Sequence, residues 1–158
     1  MRILGIDPGT ARIGWGVIDK KSNTIVPISY GLITTEKTLE KPRRLMILFT
    51  SLLTVFEKYK PDVLSIEDLF FTKNAKTAIS VGEARGVILL ASAKCKVPVV
   101  SYTPLAVKRT ITGNGRADKK QVGKMIVQLF HLKEIPKPDD TVDALAIAAT
   151  HAYTHQLR

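Results

Sequence analysis

A chain of 158 residues, 45% of them hydrophobic, suits one globular domain spanning 1–158 and is too apolar for an intrinsically disordered segment. Its apolar runs are broken by charge well short of a membrane span, and its single cysteine, Cys95, excludes an internal disulfide framework and fits a reducing, cytoplasmic setting. The 24 Lys and Arg against 14 Asp and Glu leave a net charge of +10, which points to a polyanionic partner: DNA, RNA or an acidic membrane surface.

The first fourteen residues organise the rest. A short apolar run, Ile3 to Ile6, ends on the carboxylate of Asp7; Pro8-Gly9-Thr10 makes a turn, and a second apolar run covers Trp15–Asp19. Because strand composition begins at residue 2, no secretory leader is expected. A strand this short and apolar belongs in the centre of a sheet. A third strand is expected over Thr24–Thr34, joined by the turn 20–23, so the first three strands form an antiparallel meander. Pro42 opens a helix whose stripe is Leu45, Leu48, Phe49, Leu52 and Phe56.

Val63–Ile66 reads as a buried strand that ends in Glu67-Asp68. Helical composition resumes from Ala75 to Lys94 and is apolar over more than one face, which nominates it as a dimer face. Val97–Ser101 is a fifth strand, placed at an edge by Pro98. Thr103-Pro104 starts a short helix to Thr112, Asp118 starts another with Val122, Met125, Ile126 and Leu129 inward, and a last helix runs from Asp139 to Tyr153. A strand–helix–strand crossover requires parallel strands. The expected fold is therefore α/β, a mixed five-stranded sheet with three antiparallel strands, two strands parallel to the first, and helices on its faces.

Three acids stand at the ends of buried elements. Asp7 follows Ile6 and Glu67 follows Ile66, so parallel neighbours would bring the two carboxylates side by side, about 4.8 Å apart strand to strand. Such a pair repels strongly unless a cation lies between its members. The alternatives are that Asp7 only caps its turn, or that one acid points to the other sheet face. On the last helix Asp143 flanks the core stripe of Val142, Leu145, Ala146 and Ala149; spacing alone leaves Asp139 and Asp140 equal as its companion, and Asp139 is also a natural N-cap. An all-oxygen acidic cluster selects Mg²⁺ or Mn²⁺ over Zn²⁺, and His131, His151 and His155 are too scattered for a zinc site. The basic charge is concentrated: residues 103–137 carry eight Lys and Arg, among them Lys108, Arg116, Lys119 and Lys120, against two acids. Phe70-Phe71-Thr72-Lys73-Asn74 places two rings beside a cation just past the fourth strand, a composition suited to stacking on unpaired bases.

Taken in order, Gly5-Ile6-Asp7-Pro8-Gly9-Thr10 with Gly14, Ile66-Glu67 with residues 70–74, Ala84-Arg85-Gly86, Val107-Lys108, Lys119 with Gln121-Val122, and Asp140-x-x-Asp143-Ala144-Leu145-Ala146-Ile147-Ala148 resemble the RuvC family of bacterial Holliday-junction resolvases. The resemblance covers nearly the whole chain and implies a ribonuclease-H-like fold, a homodimer, and metal-dependent nicking of four-way DNA junctions in recombination and repair. It implies Asp7, Glu67, Asp140 and Asp143 as ligands of two Mg²⁺ ions, with Mn²⁺ able to substitute, and so selects Asp140 over Asp139. It also implies Phe70 as the ring that stacks at the opened junction, with Phe71 beside it as a competitor, and Lys108 and Lys119 near the scissile phosphate. Lys73, Asn74, Arg116 and Lys120 join them as DNA contacts. RuvA and RuvB are partners by resemblance only. Relatives often carry a longer tail than this chain has after its last helix.

Two rival readings share part of this pattern. A YqgF-like nuclease of the same fold would act on RNA, and a non-catalytic junction-binding module would keep the basic region without needing the acids. The actin-like sugar kinases also carry Asp-x-Gly-Thr, but they close two such domains around ATP.

Overall fold

The computed structural model describes residues 1–9, 11–68 and 75–155, with the side chains of 75–77 left aside. In chain order the elements are β1 (Arg2–Asp7), β2 (Arg12–Lys21), β3 (Thr24–Thr34), α1 (Lys41–Tyr59), β4 (Val63–Glu67), α2 (Ala75–Lys94), β5 (Val99–Tyr102), α3 (Pro104–Thr112), α4 (Lys119–Phe130) and α5 (Asp139–Thr154). The sheet order is β3-β2-β1-β4-β5. β1 pairs antiparallel with β2 and parallel with β4, and β4 pairs parallel with β5, so β1 is central and β5 an edge, as its composition requires. β2 is longer than the expected Trp15–Asp19, because both of its edges are hydrogen-bonded and the two ladders carry it out to Arg12 and Lys21. β5 begins at Val99 rather than Val97, after Pro98, whose carbonyl accepts from Leu64 N–H.

Local chemistry sets the helix ends. Pro42 lies in the first turn of α1, and Lys60 closes it in the left-handed region. The Thr103 hydroxyl accepts from Ala106 N–H at α3. Asp118 and Gln121 form a reciprocal capping box at α4. α5 departs from expectation: Pro138 is its N-cap, no side chain caps it, and Asp139 lies in its first turn, exposed.

The alternation of β1 decides the layers. Leu4 and Ile6 join Leu64, Ile66, Leu52, Phe56 and Ile88 in the core under α1 and α2. Ile3 joins Val63, Leu145, Ile147 and Ile126 in the core under α4 and α5. Each fully buried aliphatic side chain of these layers contributes roughly 1.5–3 kcal/mol. By the two-residue period Gly5 and Asp7 belong to the α5 face. There, α5 lies directly on the strands: a methyl at Gly5 would overlap the Ala144 carbonyl and Ala148, one at Gly14 the Asp140 carbonyl, and one at Gly16 Leu145. The Ser65 hydroxyl completes the contact by donating to the Ile147 carbonyl at 2.9 Å.

Candidate functional site

Ile6 pairs with Ile66 across β1 and β4, and both point under α1 and α2. The next residue of each strand, Asp7 and Glu67, therefore projects from the opposite face, side by side at the carboxyl end of the sheet. Asp7 also faces Gly14 of β2, whose missing side chain lets the first turn of α5 descend on that spot. Asp140 rides on that turn and Asp143 on the next. Arg85 of α2 braces the site from behind: its Nη1 donates to the Glu67 carbonyl and its Nη2 donates to Ser101 Oγ at 2.8 Å.

The electrostatics record how closely the acids are gathered. Burial, then the charges of Asp143, Glu67 and Asp140, push the Asp7 carboxyl up to about 7. Glu67 is raised by burial and by Asp143. Asp143 is raised by burial, against the pull of Lys119, whose Nζ donates to Asp143 Oδ2 at 3.2 Å. That contact in turn raises Lys119. Asp140 Oδ2 is buried and accepts no hydrogen bond; the Arg12 Nε lies 3.5 Å from it, outside hydrogen-bond geometry. Asp139 is exposed and Asp140 half-buried, and it is the charge of Asp140 that is felt at Asp7, whereas both act on Asp143.

Asp7, Glu67 and Asp143 line one cleft of about 270 Å³ together with Lys108 and Lys119. Lys119 also borders an adjoining recess with Arg12, Lys137, Asp139 and Asp140. Of the expected basic contacts, Lys108 and Lys119 thus stand at the acids, whereas Arg116 and Lys120 are exposed and outside that cleft. Phe70, Phe71, Lys73 and Asn74, like Thr10, lie outside the described residues. Two features went unread in the sequence. Arg12 carried no signal beyond its place after the turn, and the spacing of Gly5, Gly14 and Gly16 could have marked a surface onto which a helix packs.

The donor set fits a hard divalent cation. It is all carboxylate oxygen, it is concentrated at some expense to ionisation, and it includes one buried oxygen without a donor. Among the described residues no three Asp, Glu, His or Cys side chains are gathered tightly enough to hold an ion as they stand. Two of the four acids face cations of the protein instead, Asp143 toward Lys119 and Asp140 toward Arg12. His151, read from the sequence as a surface or packed residue and not a ligand, is buried, and its Nδ1 shares a hydrogen bond with the Tyr102 hydroxyl, 2.8 Å away. A smaller cavity of about 110 Å³ lies on the other face of the sheet. Its cations are engaged locally, Lys41 with Glu83 and Arg44 with Thr35, so it does not compete as the reactive centre.

Residues 3–151 match the family described as crossover junction endodeoxyribonuclease RuvC. The RuvC of Brevibacillus brevis is 53% identical over 152 residues, covering 96% of this chain and 92% of that protein. The RuvC of Desulfitobacterium hafniense is 50% identical over 157 residues, covering 99% and 95%. Among solved structures, T. thermophilus RuvC in complex with Holliday junction substrate superposes with a TM-score of 0.93 at 34% identity, covering 98% of this chain and 94% of that one. The yeast mitochondrial Holliday junction resolvase shares the fold, with a TM-score of 0.69 at 19% identity over 95% of this chain and 78% of that one.

Proposed function

The chain belongs to the RuvC family of crossover junction endodeoxyribonucleases, and we propose that it resolves four-way DNA junctions by hydrolysing one phosphodiester in each of two strands, through the carboxylates of Asp7, Glu67, Asp140 and Asp143. The observation that carries this reading is the single cleft shared by Asp7, Glu67 and Asp143 with Lys108 and Lys119. Acids alone would repel a phosphate and lysines alone would only bind it. A cleft with both, on a ribonuclease-H-like sheet, is suited to cutting DNA.

The four acids would hold two Mg²⁺ ions, with Mn²⁺ as a substitute. Bound there, the ions supply an activated water and offset charge on the phosphate and on the leaving oxygen. The protein groups do the rest. Asp7 and Glu67 project from adjacent central strands, so their spacing is set by the sheet and needs no rearrangement during reaction. Lys119 can leave Asp143 for a phosphate oxygen and stabilise charge as it builds in the transition state. Lys108 adds attraction for the backbone on the same wall. Phe70 or Phe71 would stack on unpaired bases, with Lys73, Asn74, Arg116 and Lys120 completing the DNA contacts.

Two cuts require two sites, and a two-fold homodimer supplies them with matching symmetry. The exposed Ile79, Leu89 and Leu90 of α2 favour that helix as the dimer face. No helix among the described residues is long and apolar enough to cross a membrane. The protein would meet its junctions in the cytoplasm, beside RuvA and RuvB.

The deciding experiment incubates the protein with a synthetic four-way DNA junction, a linear duplex and a structured RNA, each in Mg²⁺, Mn²⁺ and EDTA. Paired, symmetric nicks confined to the junction and to the two metals are expected. Preferential RNA cleavage would favour the YqgF-like reading. Junction binding without cleavage in either metal would reduce the protein to a binding module. Junction affinity should also fall with salt, with a log–log slope of about −0.9 per phosphate contacted.

A further inference from the structure

Two arginine–aspartate pairs in this protein are built differently. Arg2 grips Asp19 with a two-pronged fork, Nε donating to Oδ1 at 2.8 Å and Nη2 donating to Oδ2 at 2.9 Å. Such a fork is strong and directional. Arg12 approaches Asp140 with Nε 3.5 Å from Oδ2, and that oxygen accepts no hydrogen bond. The Arg12 side chain is 58% exposed, whereas the Asp140 oxygen it faces is buried and has no donor. A guanidinium so placed neutralises its partner without filling the partner's lone pairs. It leaves easily, and the oxygen remains open to a second cation.

The surroundings point the same way. Arg12, Lys119, Lys137 and Asp140 border one recess beside the acid cleft. Lys119 also covers a helix acid, but with a hydrogen bond, its Nζ donating to Asp143 Oδ2 at 3.2 Å. Among the described residues no ion pair reaches Asp7 or Glu67. The acids on the rigid sheet are therefore left unpaired, and the acids on the helix are covered by exposed side chains that can swing away.

We infer that Arg12 is the resident counter-cation of Asp140, competing with the divalent ion for that carboxylate and released toward the DNA backbone when the ion binds. The inference rests on the metal-binding role proposed above for Asp140. Arg12 thereby weakens metal binding by the free protein and keeps the empty site from repelling DNA. The freed guanidinium then presents a fork that matches a phosphate.

The test is Mn²⁺ binding by calorimetry to the full chain without DNA, for the native protein, Arg12→Gln and Arg12→Lys, at low and high ionic strength. Because Arg12 is largely exposed, both variants should fold, which circular dichroism and Tm will verify. Removing the competing cation should tighten Mn²⁺ binding about three- to tenfold for Arg12→Gln at low salt. The gain should shrink at high salt, and Arg12→Lys should stay close to native. Unchanged or weaker Mn²⁺ binding by Arg12→Gln, with native binding intact, overturns the inference alone. Absence of Mn²⁺ binding by the native protein overturns the metal site and the inference with it.

Discussion

The Gly14 α-carbon lies against the Asp140 carbonyl with no room for a side chain between them. Gly14 is also the β2 residue opposite Asp7. One contact therefore sets how closely the acidic end of α5 approaches the acid of the central strand.

Replacing Gly14 with alanine should separate the two. The added methyl would meet backbone, the Asp140 carbonyl and Thr141 N, which cannot rotate out of its way. α5 must lift or tilt, at a cost of about 1–3 kcal/mol. A lower Tm is expected. In single-turnover nicking of prebound junction at a temperature where the variant is folded, the rate should fall as well. A variant with native Tm and native rate would show that this contact does not govern the site.

Asp7→Asn should trade activity for stability. The Asp7 carboxyl is pushed up to about 7 in the folded protein, mainly by burial, from 3.8. Between those values the unfolded chain has released a proton that the folded chain keeps. The Asp7 contribution to stability therefore declines as pH rises from about 4 to about 7, and does not return above that. Asparagine removes the burden, so the metal-free variant should exceed the native protein at pH 8, by on the order of 1–3 kcal/mol, and match it near pH 4. Mg²⁺ should raise the native Tm and leave that of Asp7→Asn nearly unchanged. Nicking should be lost while junction binding in EDTA persists. Equal Tm values at pH 8 would contradict the charge crowding around Asp7.

Lys119→Ala tests the transition-state role. The exposed ion pair with Asp143 stabilises the fold by less than about 1 kcal/mol, so Tm should hardly move. The nicking rate on bound junction should drop about 10²–10³-fold. Junction affinity should weaken only as far as one lost phosphate contact permits. A loss confined to affinity, with the rate on bound junction intact, would make Lys119 a binding residue only.

His151 acts on stability in the opposite sense. Burial, followed by His155 and Lys20, holds its imidazole down to about 4 from 6.5. The folded chain keeps it neutral while the unfolded chain takes up a proton, so its contribution is present above pH 6.5 and is lost as pH falls toward 4. Asp7 changes in the other direction over much of the same interval, so the two partly cancel in the native protein. His151→Phe should leave the Asp7 contribution unopposed and so raise the Tm near pH 4–5 relative to that at pH 7, compared with the native protein. The Tyr102 hydroxyl keeps Thr154 Oγ1 as a partner at 2.9 Å in that variant. An unchanged acid limb would show that His151 is not the group responsible.

Much of this protein is written in short-range signals. The caps at Thr103 and Asp118 and the terminal Pro-Lys-Pro break before α5 are legible because each concerns a few adjacent residues. The pairing of Asp7 with Glu67 is legible too, since both follow a run of buried apolar residues and a helical crossover forces the two strands parallel. Strand ends were less so: β2 extends to Arg12 and Lys21 because of partners on both sides, a property of the sheet and not of residues 12–21.

The choice between Asp139 and Asp140, the contacts of Gly5, Gly14 and Gly16 with α5, and the approach of Arg12 to Asp140 all depend on where α5 lies and how it is rotated. That placement is set by close packing between segments more than a hundred residues apart in the chain. Local preference determined which elements form and which acids end them. Only the packed sheet and helix decided how closely α5 meets the paired strand acids and which cations face its carboxylates, because those neighbours are chosen by excluded volume and buried charge across the fold.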